Sequence, residues 1–275
     1  RDPYNGAMSA VDENCRNLVS IGAKPDALLD CLNFGNPEKP EKMGEFYEAT
    51  KGLGDSAREL KLPFMSGNVS FYNESVKTSV PPTPQITSIG IVDDIRKCVT
   101  SDFKSEGSTV YLVGKKTEKE MGGSEYYKAL GLEGGIVPKS NIHTLKNSMK
   151  GILSSIKKGL VSSCHDVSEG GIAVCISEMA IGGDIGCEID ISNIGEDLRS
   201  DFKLFSESNT RWIIEVKKDK LEEFEKNLKD NNTSFVKIGE TKSKNLVIKD
   251  NKKIIDLEID EIRDIWKNTI WNIMG

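Results

Sequence analysis

Small polar side chains alternate with apolar ones in residues 62–74, LPFMSGNVSFYNE, and could bring hydroxyl and amide oxygens to a phosphate or a hydrated cation. Ser66, Asn68 and Ser70 recur at the period of two that places side chains on one face of a β-strand. Gly67 lies among them, and a glycine inside a strand often marks the close approach of a ligand or of another backbone. The spacing alone favours a less specific interpretation, an ordinary strand with a bulge and a solvated polar face.

Asp30 is the single acid in the apolar run 27–32, ALLDCL, which predicts a strand buried on both faces. A buried carboxylate is costly unless it is paired, hydrogen-bonded or bound to a cation. Nearby backbone amides could satisfy Asp30. Alternatively, it could meet a nucleotide or a metal near the strand end, where ligands of open α/β sheets bind.

A second group of polar residues combines a helix face with a strand end. Glu13 and Asn17 are four residues apart in the predicted helix 7–21 and therefore share one face. Asp166 belongs to the segment 165–171, HDVSEGG, whose two glycines at a predicted helix start offer an anion site. A solvated helix face and a simple helix cap are the ordinary interpretations. A carboxylate with an amide oxygen is also half of a magnesium shell.

Hydrophobic periodicity and turn residues indicate the elements that would position these groups. The strand in 62–74 is predicted to turn Met65, Val69 and Phe71 inward. Helices are predicted at 7–21, 41–60, 124–130, 142–158, 172–181, 221–228 and around 262–270, and further strands at 27–32, 86–92, 109–114, 160–164, 187–191, 212–216, 235–238, 246–248 and 254–259. Because strands and helices interleave, the predicted class is α/β to α+β with mixed sheets. A change of organisation at Asp93-Asp94 divides the chain into the domains 1–93 and 94–275.

The composition argues against several classes of protein. The 275 residues carry a net charge of −6, so the chain lacks the basic field expected for binding nucleic acid. Its longest apolar runs have strand length, too short for a membrane span. Six cysteines without CxxC spacing predict reduced thiols in a cytoplasmic protein. The chain opens on RDPYNG, with neither an initiator methionine nor a targeting signal, and we expect a portion of a longer protein.

Four motifs carry a resemblance to a known family. They are DCLNFGNPE at 30–38, SGNVSFYNE at 66–74, PTP at 82–84 and HDVSEGG at 165–171. In this order they resemble phosphoribosylformylglycinamidine synthase, and more narrowly the C-terminal half of its small, bacterial-type synthetase subunit. GGSE at 122–125 and LFSES at 204–208 with Arg211 fit as well, so the resemblance extends over about 6–266.

The resemblance implies both a fold and a reaction. The fold would be like that of aminoimidazole ribonucleotide synthetase, with a partial N-terminal α/β domain followed by a mixed-sheet C-terminal domain. The family uses ATP and Mg²⁺ to convert formylglycinamide ribonucleotide to the amidine in purine synthesis. Its ammonia comes from glutamine through a separate glutaminase subunit, and a small accessory subunit is a further expected partner.

The resemblance also assigns roles to individual residues. On the family pattern, Asp30 and Gly67 contact ATP, Asn68 binds Mg²⁺ and Ser70 meets the ribonucleotide substrate. The large form of the family holds the metal of an auxiliary nucleotide on residues that match Glu13, Asn17 and Asp166.

The chain departs from the family by truncation. The catalytic histidines, further metal ligands and a substrate arginine of the family belong to an N-terminal half that this chain does not contain. His143 and His165 do not match the catalytic motif, so we expect no catalytic residue here. We therefore expect the fragment alone to be inactive and to self-associate through surfaces that the other half would cover.

Two other functions compete with this interpretation. One is a non-catalytic nucleotide-binding lobe that docks partner subunits. The other is a relative in the same superfamily, such as selenophosphate synthetase or thiamine phosphate kinase, although the motifs at 30–38 and 67–74 argue against it.

Overall fold

The computed structural model of the chain describes residues 2–195 and 197–275. The helices are α1 (Pro3–Ser20), α2 (Pro40–Leu60), α3 (Glu125–Ala129), α4 (Ile142–Lys157), α5 (Gly171–Gly183), α6 (Ser200–Phe205), α7 (Leu221–Asp230) and α8 (Ile259–Met274). The strands are β1 (Lys24–Asn33), β2 (Phe64–Ser70), β3 (Thr83–Ile91), β4 (Thr109–Gly114), β5 (Ser163–Asp166), β6 (Gly186–Asp190), β7 (Arg211–Val216), β8 (Phe235–Lys242), β9 (Asn245–Asp250) and β10 (Lys252–Glu258).

The first sheet has three strands in the order β2-β1-β3. β1 is parallel to β2 and antiparallel to β3, and the register pairs Asp30 with Gly67 and Cys31 with Asn68. α1 and α2 cover one face of this sheet, where the buried Leu28 packs in the same core cluster as residues of both helices. The first sheet therefore brings the two polar motifs predicted from the sequence into direct register.

The opposite face of the first sheet is open, contrary to the prediction for β1. Leu28 and Leu32 are buried, but Cys31 between them is only half-buried, so β1 is not covered on both faces. Met65 and Val69 of β2, predicted to turn inward, are 69% and 48% exposed. The reason is that β2 lies at the edge of the sheet, where residues 65–69 are exposed whichever face they point to.

The second sheet is mixed and has seven strands in the order β10-β9-β6-β8-β4-β7-β5. Its central strand β4 pairs antiparallel with β7 and β8, whereas β6 pairs parallel with β9. Along β4, Tyr111 packs in a core cluster with α4 and α7, whereas Leu112 packs in another with α5. Because helices cover both faces, every residue of β4 and β7 is buried.

The helices and strands confirm the predicted α/β to α+β class with mixed sheets. The strand predicted at 160–164 begins later, at Ser163, and the short helix α6 was not predicted. In the described ranges, no helix combines the length and the apolar character needed to cross a membrane.

Candidate functional site

The carboxylate of Asp30 lies directly against the backbone of Gly67. A Cβ atom placed on Gly67 would be 2.6 Å from both carboxylate oxygens, closer than side-chain atoms approach in proteins. No described residue donates a hydrogen bond to the Asp30 carboxylate or forms an ion pair with it, although the side chain is half-buried. The contact explains the glycine in this strand and leaves an acidic group available to a ligand.

Asn68 lies on the other face of the same sheet. Its neighbour in register is Cys31, and the Asn68 amide nitrogen is 3.8 Å from the Cys31 sulfur. The amide is exposed, and its oxygen has no hydrogen-bond partner among the described residues. Because neighbouring residues of a strand point to opposite faces, a ligand that touches both Asp30 and Asn68 must extend around the β2 edge.

Ser70 ends β2 and is held by a local turn. Its hydroxyl donates to Asn73 Oδ1 at 3.2 Å, and the Asn73 amide donates to the Ser70 carbonyl at 3.0 Å. The same amide donates to the Phe34 carbonyl at 3.0 Å, which ties the two motifs together. The loop after β1 and the loop after β2 thus form one connected edge at the carboxyl ends of the strands.

Asp166, at the end of β5, is surrounded by donors. With its amide nitrogen facing Asp166, Asn17 donates to the two carboxylate oxygens at 2.9 and 3.2 Å. Arg16 Nη1 is 3.5 Å from one oxygen, His165 Nδ1 is 3.3 Å from the other, and the Ser168 hydroxyl donates as well. Burial alone would raise the pKa of Asp166, but the hydrogen bond from His165 and the charge of Arg16 outweigh it and lower the pKa.

Glu13 lies on the same side of α1 and faces the same acidic surroundings. Partial desolvation raises the pKa of Glu13, and although Arg16 opposes this, the negative charges of Asp166 and Glu169 add to it. The structure therefore brings Glu13, Asn17 and Asp166 together. This agrees with the prediction that the Glu13–Asn17 face of α1 lies beside the strand end at Asp166. No described residue forms a hydrogen bond that links Glu13 to Asp166.

A buried charge network, missed by the sequence reasoning, anchors α1 beside this group. Arg16 is 2% exposed, donates to Asp12 Oδ1 at 2.8 Å and also donates to the Val167 carbonyl. Asp12, fully buried, accepts from the backbone nitrogen of Thr210 at 3.1 Å and from its hydroxyl at 2.5 Å. The available signal was the placement of two opposite charges, four residues apart, on the buried stripe of α1.

The anion site predicted at Gly170-Gly171 is filled by a carboxylate of the chain itself. Glu207 Oε1 accepts from the backbone nitrogens of Gly170 and Glu125, each at 2.9 Å. Gly171 has a φ of 65°, and a Cβ there would be 2.6 Å from the Leu204 carbonyl oxygen. These glycines therefore serve a tight turn against α6, and the free backbone donors predicted for an external anion are in part already bonded.

His165 is held between two acids. Its ring nitrogens are 3.3 Å from Asp166 and 3.0 Å from Glu178. Burial would lower the pKa of His165, but the two hydrogen-bonded carboxylates raise it to about 9. The ring is therefore protonated at neutral pH and does not serve as a free base.

Within residues 2–195 and 197–275, no group of three or more His, Cys, Asp or Glu side chains is arranged to hold a metal ion. All six cysteines are free, and four of them are buried. A metal ion at this surface would therefore take ligands beyond such side chains, such as amide oxygens, phosphates and water.

A three-stranded α/β layer joined to a larger mixed sheet, with polar motifs at one strand edge, defines the class of AIR-synthase-like proteins. The model for the AIR synthase related protein, N-terminal domain, matches residues 1–92, and the model for the C-terminal domain matches residues 105–250. The chain belongs to the AIR synthase related protein family.

Within this family, the chain is similar to phosphoribosylformylglycinamidine synthase subunit PurL. It is 40% identical over 275 residues to PurL of Alkaliphilus metalliredigens, covering 99% of this chain and 37% of that protein. Against PurL of Thermococcus sibiricus it is 41% identical over 277 residues, covering 100% of this chain and 38% of that protein. These similarities confirm the resemblance drawn from the four motifs. The chain spans somewhat more than a third of the length of these curated relatives.

The fold is also that of a solved PurL structure. PurL of Thermotoga maritima, complexed with ATP, matches with a TM-score of 0.77 at 17% sequence identity, over 95% of this chain and 41% of that chain. At this identity the match concerns the fold alone, and it confirms the AIR-synthase-like architecture.

Proposed function

We propose that the chain is the ATP-side portion of a phosphoribosylformylglycinamidine synthase. The observation that carries the proposal is the free Asp30 carboxylate packed against Gly67, within the two motifs of a chain about 40% identical to PurL subunits. The proposed reaction is the ATP- and Mg²⁺-dependent conversion of formylglycinamide ribonucleotide and ammonia to the amidine in purine biosynthesis. The enzyme class is that of an ATP-dependent carbon–nitrogen ligase.

Asp30 and Gly67 would bind ATP. A carboxylate without a protein partner can accept hydrogen bonds from the hydroxyl or amino groups of a nucleotide, and the absence of a side chain at Gly67 keeps the space next to it open. In the reaction, ATP would supply the phosphoryl group that activates the amide oxygen toward attack by ammonia.

Asn68 would contribute one ligand to Mg²⁺. Its exposed amide oxygen without a partner fits this role, because Mg²⁺ commonly takes few protein ligands and completes its shell with phosphate oxygens and water. Ser70, two residues further and fixed by Asn73, would meet the ribonucleotide substrate. Together these groups would form one wall of the active site.

The remaining catalytic groups would belong to the part of the longer protein that precedes this portion. We propose no catalytic residue among His143, His165 and the other side chains of this chain. The glutaminase subunit and the small accessory subunit are the proposed partners of the longer protein. We also propose that the isolated portion self-associates and that it divides into two domains, at 1–93 and 94–275. The six free cysteines support the proposed cytoplasmic location.

An auxiliary nucleotide with its metal would bind at Glu13, Asn17 and Asp166. Rotation of the Asn17 amide would turn its oxygen, rather than its nitrogen, toward the space beside Asp166, which is the arrangement that a cation prefers. Arg16 and His165 already neutralise Asp166, so a metal here competes with two cations and binds more weakly than at an uncompensated carboxylate.

A second candidate function is a non-catalytic nucleotide-binding lobe that docks partner subunits. It is favoured by the fact that the described residues include no metal-holding group of acids and no free histidine base near Asp30. The two candidates share the nucleotide site and differ only in whether its residues support turnover.

The test measures Mg-ATP binding to the chain by calorimetry and amidine formation from ammonia after an N-terminal portion of a PurL relative is added in trans. The proposal expects weak nucleotide binding, no turnover by the chain alone and turnover in the mixture. It expects Asp30→Asn to weaken binding and Asn68→Leu to lower turnover in the mixture about a hundredfold. Nucleotide binding without turnover in any mixture, with wild-type protein that remains folded, would favour the non-catalytic lobe. Absence of nucleotide binding would overturn both candidates.

A further inference from the structure

A groove runs between the end of α2, the start of β1 and the outer face of α4. It consists of two adjoining cavities of about 480 and 660 Å³ that share Lys24, Asp26 and Leu153. Leu60 and Leu62 are nearly buried at the floor of the smaller cavity, and Met149 and Leu153 are partly buried beside them. The groove is therefore an elongated depression with an apolar floor.

Lysines line this groove in a stripe along α4. Lys146, Lys150 and Lys157 are spaced by four and seven residues, with Leu153 between the last two, so all four lie on one helix face. At the rise of an α-helix the stripe extends over about 16 Å. Lys61, the last residue of the turn that ends α2, adds a further ammonium group to the same groove.

Two of these lysines lack an internal partner among the described residues. No described residue forms an ion pair or a side-chain hydrogen bond with Lys61 or Lys150, and both are exposed. Lys146 donates to the Glu59 carbonyl at 2.6 Å, and Lys157 is 3.6 Å from Asp93 in a pair that is largely exposed. Exposed pairs of this kind contribute little stability. In a chain with a net charge of −6, a cluster of lysines that includes two without an ionic partner is a local reversal of charge.

The groove is separate from the proposed ATP site. Lys24 lies at the first residue of β1, whereas Asp30 is six residues further along the strand, about 20 Å away at the rise of a β-strand. The candidate residues Asn68 and Ser70 also lie toward the carboxyl end of their strand, β2. Occupation of the groove would thus leave the nucleotide site accessible.

We propose that this groove docks an acidic amphipathic helix of a partner protein. Apolar side chains of such a helix would enter the floor formed by Leu62, Met149 and Leu153, in the manner of helix-in-groove recognition. Glutamates flanking that apolar face would meet the lysine stripe of α4. Charge complementarity of this type raises the association rate and selects the partner.

A nucleic acid fits the groove less well. Asp26, Asp93 and Asp94 lie in the same groove and would repel a continuous phosphate backbone, whereas a peptide can place neutral residues opposite them. An apolar floor also offers nothing to phosphate groups. The mixture of lysines, a few acids and apolar side chains therefore favours a protein helix.

The probe for the test is a fluorescein-labelled 18-residue peptide, helical by design, with leucines at i, i+4, i+7 and i+11 and glutamates on both flanks. Its control peptide carries glutamine in place of each glutamate. Fluorescence anisotropy is measured with the whole chain, with Lys150→Glu and with Lys267→Glu, whose exposed lysine lies on α8, away from the groove. Methyl signals of Met149 locate the bound peptide by NMR.

The proposal expects saturable binding of the acidic peptide, a shift of the Met149 methyl signal and an affinity at least tenfold lower for the glutamine peptide. Lys150→Glu should lower the affinity at least tenfold, whereas Lys267→Glu should leave it unchanged. Equal binding by Lys150→Glu and wild type, no saturable binding by wild type, or tighter binding of a 20-nucleotide single-stranded DNA than of the peptide would each overturn it. Thermal unfolding of each variant verifies that the fold is retained.

Discussion

The Asp30 carboxylate occupies the space that any side chain at position 67 would need, since a Cβ on Gly67 would lie 2.6 Å from both of its oxygens. Gly67→Ala must therefore displace the carboxylate or spread β1 from β2. We predict that Mg-ATP affinity falls at least tenfold, with a loss of stability of about 1–3 kcal/mol from overpacking. Calorimetric titration and urea unfolding measure the two effects separately.

Gly44→Ala is the matched control for this substitution. A Cβ on Gly44, within α2, would meet no atom within 4 Å, so alanine there should raise stability by about 0.5–1 kcal/mol through helix propensity. Its ATP affinity should equal that of wild type. If Gly67→Ala binds ATP as tightly as wild type does, the Asp30–Gly67 contact is not part of the nucleotide site.

Asp30→Asn removes the negative charge of the side chain and keeps its shape. Because the wild-type carboxylate has no protein partner among the described residues, the amide should change stability little. If Asp30 accepts hydrogen bonds from the nucleotide, affinity for ATP should fall by about 1–3 kcal/mol. Equilibrium dialysis with labelled ATP gives the value, and unchanged affinity would sink the assignment.

Strands β1 and β2 show which features of the fold can be predicted from the sequence and which cannot. The strand 64–70 and the apolar run of β1 were predictable, because alternation and continuous apolar residues are local signals. The exposure of Met65 and Val69 was not, since the edge position of β2 depends on which other strands pair with it. Whether a strand has one covered face or two depends on how the helices pack against the finished sheet, and a local sequence pattern does not specify this packing.

The same distinction applies to the candidate sites. The motif residues Asp30 and Gly67 could be named from a family resemblance. Their contact, however, depends on the parallel register of β1 and β2, which the sequence does not reveal. Glu207 accepts a hydrogen bond from the backbone nitrogen of Gly170, which is 37 residues away in the sequence. A bond over this separation cannot be predicted from a local sequence pattern. The Asp12–Arg16 pair is different, because two opposite charges on the buried stripe of a helix are a signal that the sequence does contain.

Arg16→Met should be among the most destabilising substitutions in the chain. It removes the guanidinium that bonds Asp12 and faces Asp166, and leaves the two acids buried without that cation. Breaking such a buried pair costs about 3–5 kcal/mol, which urea unfolding would measure. Arg58→Met, in the exposed pair with Asp55, should cost less than about 1 kcal/mol. Similar losses for the two variants would contradict the buried network.

The ion pairs of His165 predict a pH dependence of stability. The folded pKa of about 9 lies above the ordinary value of 6.5, so the stabilisation is fully present below pH 6.5 and is lost as the pH rises through about 9. Its size should be on the order of 1–3 kcal/mol. Urea unfolding of His165→Gln should show a smaller decline between pH 6 and pH 9 than wild type. His143→Gln, at an exposed position, should decline as wild type does. An undiminished decline in His165→Gln would show that other groups cause it.

Asn68→Leu separates a ligand-binding role from a structural one. The side chain is exposed on the open face of the sheet, and its amide nitrogen makes only a weak contact with the Cys31 sulfur, at 3.8 Å. Removing it should therefore change the melting temperature by little, whereas the loss of a magnesium ligand should misplace the phosphates and substrate. Misplacement of that kind costs about a hundredfold in rate.

The measurement uses the full-length synthase or the chain supplemented in trans, because the chain alone is expected to make no amidine. ATP-dependent amidine formation from ammonia should fall about a hundredfold in Asn68→Leu, and raising Mg²⁺ should restore part of it, because one missing ligand weakens the ion without abolishing its site. Ser66→Ala is the matched control, since Ser66 shares the exposed polar face of β2 but carries no proposed role. If Asn68→Leu unfolds the protein while the folded remainder keeps full specific activity, the residue supports the strand and binds no metal.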